Sequence, residues 1–272
     1  MRIATSSLNL RRATSLDEAL RILGDEPRMP IAGATDVYVG LNFGTLTEKS
    51  YLDIWGLAEL REIFVTGDVL SIGALATYTS IISSKDVNAR VPMLIQASKL
   101  VGGVQIQNRG TIGGNVANAS PAGDTLPVLA AVDAVIVLRS ATGERRVSFN
   151  EFYTGYRAST RQPDELIVAI EVPRVDGTQW FRKVGTRAAQ AISKIVIGAV
   201  RRPTPSIAFG SVAATVVRVP KTEAALGAGA SVEEAASILE QEIKPIDDVR
   251  STADYRRRVS VNLLKRFWSD TT

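Results

Sequence analysis

The 272-residue sequence contains no cysteine and no histidine. Without cysteine there is no disulfide, no thiol nucleophile and no thiolate for an iron–sulfur cluster. Without histidine, a structural zinc site, a Ser–His–Asp triad and an imidazole base are excluded. Redox or metal chemistry in this chain therefore has to come from a bound organic cofactor or a partner chain. Long apolar runs are missing as well. The longest, Leu126 to Leu138, is interrupted by Asp133 and is too short to span a bilayer. The N-terminal stretch MRIATSSLNLRRATS lacks the apolar core of a signal peptide. A cytoplasmic protein without membrane partners is expected.

Charge of one sign is also scarce, since 32 basic residues face 28 acidic ones for a net charge of +4. No long basic run carries interleaved aromatics, so nucleic acid is not an expected partner. The closest candidate, YRRRVSVNLLKRFW, reads as the solvated face of an amphipathic helix. A 45% hydrophobic and 22% charged composition is that of a folded globular protein, and the length suits two domains.

Along the chain, Ser15 and Glu18 form a capping-box pattern before Leu16, Ala19, Leu20 and Leu23, and Gly24 is expected to end that helix. MPIA and KSYLDIWG read as strands. REIFVTGDVLSIGAL reads as a hairpin around Gly67-Asp68, and DAVIVLRSATGERRVSF as one around Thr142-Gly143-Glu144. YTSIIS and VPMLIQASKLV are helical, and ELIVAIEVP reads as an alternating strand. Pro173 to Gln179 reads as a linker between an α+β domain over residues 1–172 and a smaller α+β domain over residues 178–272. The second domain shows three strand-like runs and two helices, begun by Ser231 with Glu234 and by Ser251 with Asp254.

Two small-residue stretches stand out in the first domain. In PIAGATDV a strand ends in a turn whose successive N–H groups can converge on an anion. Gly33 permits a positive φ, Ala32 and Ala34 allow close approach, and a helix begun by Thr35 or Asp36 would add its terminal amides. An ordinary strand–loop–helix connection uses the same residues. In TIGGNVANASPAGDTLP, Gly113-Gly114-Asn115 offers amides and a carboxamide, with Thr111, Asn118, Ser120 and Asp124 close by. A long loop satisfying its own backbone is the alternative. Neither a GxGxxG nor a GxxxxGK[ST] fingerprint occurs.

AGATD and QIQNRGTIGGNVANASPAGDTLP together resemble the two flavin-binding signatures of the FAD subunit of molybdenum hydroxylases, the xanthine dehydrogenase, carbon monoxide dehydrogenase and aldehyde oxidase relatives. The resemblance continues through EFYTGYRASTRQPDELIVAIEVP and FRKVGTRAAQAISKI. It ends in PIDDVRSTADYRRRVSVNLLKRFW, which is similar to the small-subunit ending of bacterial xanthine dehydrogenases. It implies a p-cresol-methylhydroxylase-type FAD domain of two subdomains and a small α+β C-terminal domain. By position, the backbone of Ile31, Ala32, Gly33, Ala34, Thr35, Asp36 and Val37 would wrap the pyrophosphate. Thr111, Gly113, Gly114, Asn115, Asn118 and Asp124 would hold phosphate, ribitol or ribose. Ile167 matches an apolar position beside a ring of the cofactor. Lys183 matches a lysine near the isoalloxazine, where a cation favours the reduced flavin.

Departures from the family pattern are modest. Ala34 replaces a glycine, GGVQIQN stands where ASxQIRN is common, and Val101 replaces an aromatic that some relatives could stack on the cofactor. Because the chain has neither His nor Cys, the FAD is expected to be held non-covalently, with a bond to a Tyr as the lesser alternative. The resemblance further implies partners, a molybdopterin-binding large subunit and a 2Fe-2S subunit, with NAD or another acceptor. A xanthine-dehydrogenase-like complex is expected. A carbon monoxide, aldehyde, heteroaromatic or aromatic acyl-CoA hydroxylase and a flavin-free scaffolding subunit remain the alternatives.

Overall fold

A computed structural model describes residues 4–272. It opens with β1 (Asn9–Arg12), α1 (Leu16–Asp25), β2 (Met29–Ile31), α2 (Val37–Phe43) and β3 (Ser50–Asp53), a parallel sheet in the order β1–β3–β2. Leu16, Ala19, Leu20, Ile22 and Leu23 bury one face of α1 against Leu52, Leu57 and Leu60. Ser15 caps α1 by accepting from the Glu18 N–H, but the Glu18 carboxylate reaches back to Thr14 rather than to Ser15. Gly24 does not end the helix, which runs on through Asp25.

A five-stranded antiparallel sheet follows. β4 (Ile63–Thr66) and β5 (Val69–Gly73) form the first expected hairpin, with Gly67 left-handed at φ 58°. A helical excursion then runs through α3 (Tyr78–Ser83), α4 (Lys85–Arg90), α5 (Pro92–Ser98), α6 (Val104–Gln107), α7 (Ile112–Asn118) and α8 (Leu126–Ala131). The chain returns in β6 (Val135–Ser140) and β7 (Gly143–Ser148). Ser140 pairs with Gly143, so the turn is Ala141-Thr142, one residue earlier than expected. After α9 (Phe149–Phe152) come a small hairpin, β8 (Tyr153–Gly155) and β9 (Ala158–Ser159), and then β10 (Leu166–Val172). β10 inserts between β5 and β6, in the order β4–β5–β10–β6–β7.

Strand β10 is borne out, but its position corrects the alternating reading. A bulge lies between Ile167 and Ala169, so Leu166 and Val168 face one core while Ile167, Ile170 and Val172 face the other. A central strand covered on both sides reads as nearly continuous apolar sequence.

Thr178 and Gln179 already pair with Arg201 and Val200, which leaves a shorter connector, 173–177, between β10 and the last sheet. That sheet is an antiparallel meander of β11 (Thr178–Val184), β12 (Ile195–Arg201), β13 (Ser206–Gly210) and β14 (Val217–Arg218). The run SIAFGSVAATVVRVP is therefore two strands, broken by a bend where Ser211 is left-handed at φ 67°. Three helices follow instead of two: α10 (Pro220–Gly227), α11 (Val232–Glu242) and α12 (Ala253–Asp270). Ser231 and Glu234 form the expected capping box, whereas Thr252, not Ser251, caps α12.

Two cores meet across this sheet. One face packs Trp180, Ile197, Phe209, Leu239, Leu264 and Phe267 under the final helices. The other packs Phe181, Val196, Val200 and Ala208 into the same core as Leu94 and Val128 of the first domain. Contact there is tight, since a Cβ on Gly198 would lie 2.8 Å from the Pro127 carbonyl oxygen. This packing brings β11 alongside the segment that leads into α8. Among the described residues, no helix is long and apolar enough to cross a membrane.

Candidate functional site

The turn after β2 leaves a row of main-chain donors unused. No N–H group from Ala32 to Val37 has an acceptor among the described residues, although the Ala34 and Asp36 carbonyls accept from Tyr38 and Gly40 inside α2. Six successive free donors on one bend are a set of groups on which an anion can be held, provided the bend is held open from outside. The hold comes from the second stretch. A Cβ on Gly33 would lie 1.7 Å from the Arg109 carbonyl oxygen, so the two backbones touch at a position only glycine can occupy. The Arg109 guanidinium is fixed on the other side, 3.9 Å from the centre of the Trp55 ring, with Arg61 at 4.2 Å from the same ring.

The conformational role expected for Gly33 belongs instead to Ala34. Ala34 adopts φ 63°, while Gly33 is needed because Arg109 approaches it so closely. The family's usual glycine at position 34 thus corresponds to a left-handed backbone that this chain builds with alanine.

The second stretch is also corrected, since residues 112–118 are helix rather than loop. Thr111 caps α7, its hydroxyl accepting from the Gly114 N–H at 3.1 Å. The Gly113 N–H donates to the Ala74 carbonyl (2.9 Å) and the Asn115 N–H to the Thr111 carbonyl (3.0 Å). These three amides are spent inside the protein and are not the ligand donors expected of them. Gly113 serves packing, since its Cβ would lie 2.7 Å from Ala74. What α7 presents is side chains. Asn115 Oδ1 accepts from Thr125 Oγ1 at 2.6 Å, and its Nδ2 has no partner among the described residues.

Asn118 ties the two stretches together. Its Nδ2 donates to Asp36 Oδ1 at 3.1 Å, and its Oδ1 accepts from Arg157 Nη1 at 2.9 Å. Partial desolvation holds the Asp36 carboxyl above the ordinary Asp range, against the lowering pull of Arg157 and of the Asn118 hydrogen bond.

Asp124 and Lys183 were expected in separate roles, and the structure joins them. Lys183 Nζ lies 2.6 Å from Asp124 Oδ2 and 3.0 Å from the Leu100 carbonyl, with the two side chains 7% and 10% exposed. The other Asp124 oxygen accepts from the buried Ser193 hydroxyl. Burial keeps the Asp124 carboxyl above its usual range, opposed by Lys183. With each oxygen already engaged once, Asp124 is held in place and keeps only its remaining lone pairs for a sugar hydroxyl. A net-neutral pair also puts a weaker field on its surroundings than a lone lysine would. A cleft of about 330 Å³ opens beside Lys183, lined by Leu100, Gly185 and the Arg187–Ala191 turn.

Ile167 and Val101 support the site from behind. Ile167 is buried in the core that also holds Ile112 and Val116 of α7. Val101 is half-buried against that core, and its carbonyl accepts from Gln107 Nε2 at 3.2 Å. Sequence reading missed Arg109, Ser193 and Arg157. Arg157 carries a weak signal, an arginine next to a glycine-anchored turn in TGYRAS.

The family described as the FAD binding domain in molybdopterin dehydrogenase matches residues 6–175, and the CO dehydrogenase flavoprotein C-terminal domain matches residues 180–271. The glyceraldehyde dehydrogenase medium chain of Sulfolobus acidocaldarius is 35% identical over 259 residues, covering 91% of this chain and 92% of the relative. The xanthine dehydrogenase FAD-binding subunit of Escherichia coli O157:H7 is 30% identical over 275 residues, covering 95% and 94%. A solved structure of carbon monoxide dehydrogenase from Hydrogenophaga pseudoflava, lacking the Mo-pyranopterin moiety, superposes with a TM-score of 0.89 at 30% identity over 95% of each chain.

Proposed function

The chain belongs to the family of FAD-binding domains in molybdopterin dehydrogenases, and on that premise we propose that it is the FAD-carrying, electron-transferring subunit of a heteromeric molybdenum hydroxylase. The observation that carries the reading is the row of acceptor-free amides from Ala32 to Val37, tied to α7, which also bears Asn115, by the Asn118–Asp36 hydrogen bond and packed on the Arg109 backbone. The donors suit a diphosphate, and the two carboxamides suit ribityl or ribose hydroxyls. Bound FAD would supply the redox chemistry that a chain without His or Cys lacks. The chain's own residues bind and orient it. Lys183, paired to Asp124 beside the cleft, would present that net-neutral pair to the cofactor. Without a histidine or cysteine to form a tether, the cofactor is held non-covalently.

Molybdopterin and 2Fe-2S centres belong, in this reading, to partner chains, and NAD or another acceptor takes the electrons. The relatives named above act on glyceraldehyde, carbon monoxide and xanthine at 30–35% identity. That spread supports a role common to all of them, with substrate chosen on another chain. We retain a xanthine-dehydrogenase-like complex as the specific proposal, supported by the C-terminal stretch and by the near full-length match to a xanthine dehydrogenase subunit. The test is the absorption spectrum of the purified chain. A flavin spectrum, with FAD freed into the supernatant by heat or acid, is expected. A colourless protein that stays apo in excess FAD would end the reading. Assay of the co-purified complex with xanthine, an aldehyde and carbon monoxide decides among substrates.

A further inference from the structure

Asp36 poses an electrostatic problem. Its carboxylate belongs to the same short turn as the acceptor-free amides, so its charge opposes a phosphate approaching them. The fold answers with a residue from a third segment. Arg157 sits at the tip of the β8–β9 hairpin with left-handed backbone, φ 52°, a conformation that persists in a non-glycine residue where its surroundings impose it. Its hydrogen bond to Asn118 Oδ1, at 2.9 Å, continues through Asn118 Nδ2 to Asp36 Oδ1 at 3.1 Å. That bond is the only one Arg157 makes among the described residues. Three segments far apart in sequence therefore meet in one polar chain with a cation at one end and an anion at the other.

We propose that Arg157 is the charge-compensating residue of the diphosphate site: acting through Asn118, it offsets Asp36 so that a diphosphate can settle on the Ala32–Val37 amides. The assignment rests on the FAD reading above. It differs from direct phosphate contact because its effect depends on Asp36 being charged. It also explains the left-handed hairpin tip, which keeps the guanidinium turned toward α7.

The test titrates the flavin-stripped full-length chain with FAD, following flavin fluorescence, for the wild type, Arg157→Ala, Asp36→Asn and the double variant. Arg157→Ala is expected to weaken FAD binding about tenfold at low ionic strength, and by much less in about 0.5 M salt, where the charges are screened. Adding Asp36→Asn is expected to restore affinity to within about threefold of wild type, a non-additivity that marks coupled residues. Asp36→Asn alone should tighten binding, since it removes the anion and leaves the cation. This single variant also serves if the hairpin substitution prevents folding. Equal weakness of Arg157→Ala and the double variant, a salt-independent loss, or weaker binding by Asp36→Asn each overturns the assignment. A wild-type chain that binds no FAD defeats the flavin reading itself, and the assignment with it.

Discussion

The Arg109 carbonyl oxygen lies 1.7 Å from where a Cβ on Gly33 would stand. Rotamer change cannot relieve such a clash, because the obstacle is backbone held on Trp55 by its own side chain. Gly33→Ala is therefore expected to force the two cofactor segments apart. A loss of about 2 kcal/mol in stability should accompany loss of bound flavin. Thermal unfolding and the ratio of flavin to protein absorbance check both, and a variant that keeps full flavin would show that the segments need not touch.

Ala34 is predicted to behave in the opposite way. Its φ of 63° strains a Cβ-bearing residue by about 1 kcal/mol, and glycine relieves that strain. Glycine also makes the unfolded chain more flexible, at a cost of about 0.5–1 kcal/mol. Ala34→Gly should leave the melting temperature and FAD affinity nearly unchanged, while Ala34→Val, branched at a left-handed position, should lower both. Clear destabilisation by Ala34→Gly would mean the alanine methyl has a packing role of its own.

The sequence displayed local signals well and distant ones poorly. Ser231 with Glu234 and Gly67-Asp68 were legible because cap and turn act within a few residues. Ser251 was mistaken for the α12 cap because Ser and Thr are interchangeable there by type. The Asp248–Ser251 bridge and the Asp248 carboxylate engage Ser251, so the helix starts one residue later. The buried parity of β10 was not visible, since its partners, β5 and β6, lie about 100 and 30 residues upstream. At the site, the small-residue turn and Asn118 were recognised by type, but the Gly33–Arg109 contact joins segments about 75 residues apart, and the Asp124–Lys183 pair exists only once β11 packs beside the segment leading into α8. Composition marked which residues carry the chemistry, and topology decided which of them are free to use it.

Docking explains why Asp124 and Lys183 should prove coupled. Lys183→Met strands a buried carboxyl that burial already holds above its ordinary range and removes the cation that opposes the rise. Asp124→Asn strands an ammonium facing only an amide and the Leu100 carbonyl. Each single change is expected to destabilise by about 3 kcal/mol, and the double variant by less than their sum. A urea double-mutant cycle measures the difference. Simple additivity would mean that the 2.6 Å contact contributes little.

Acid sensitivity should trace to Glu165, which anchors the segment just beyond the hairpin bearing Arg157. Arg145 donates two hydrogen bonds to it, at 2.6 and 2.9 Å, and the Gln162 N–H a third at 2.7 Å. The Arg145 hydrogen bonds hold its carboxyl below the ordinary Glu value of 4.5, outweighing a burial that pulls the other way. Between that lowered value and 4.5 the unfolded chain binds more protons than the folded one. Stability from this group is therefore complete above pH 4.5 and drains away as pH falls through the folded value. Glu165→Gln should cost about 2 kcal/mol at neutral pH, with the gap from wild type closing as the pH drops below 4.5. Thermal unfolding at constant ionic strength, stepped from neutral pH into acid, follows the gap. A deficit that stays constant into acid would assign the loss to shape rather than charge, and would release Arg145 from the role given to it here.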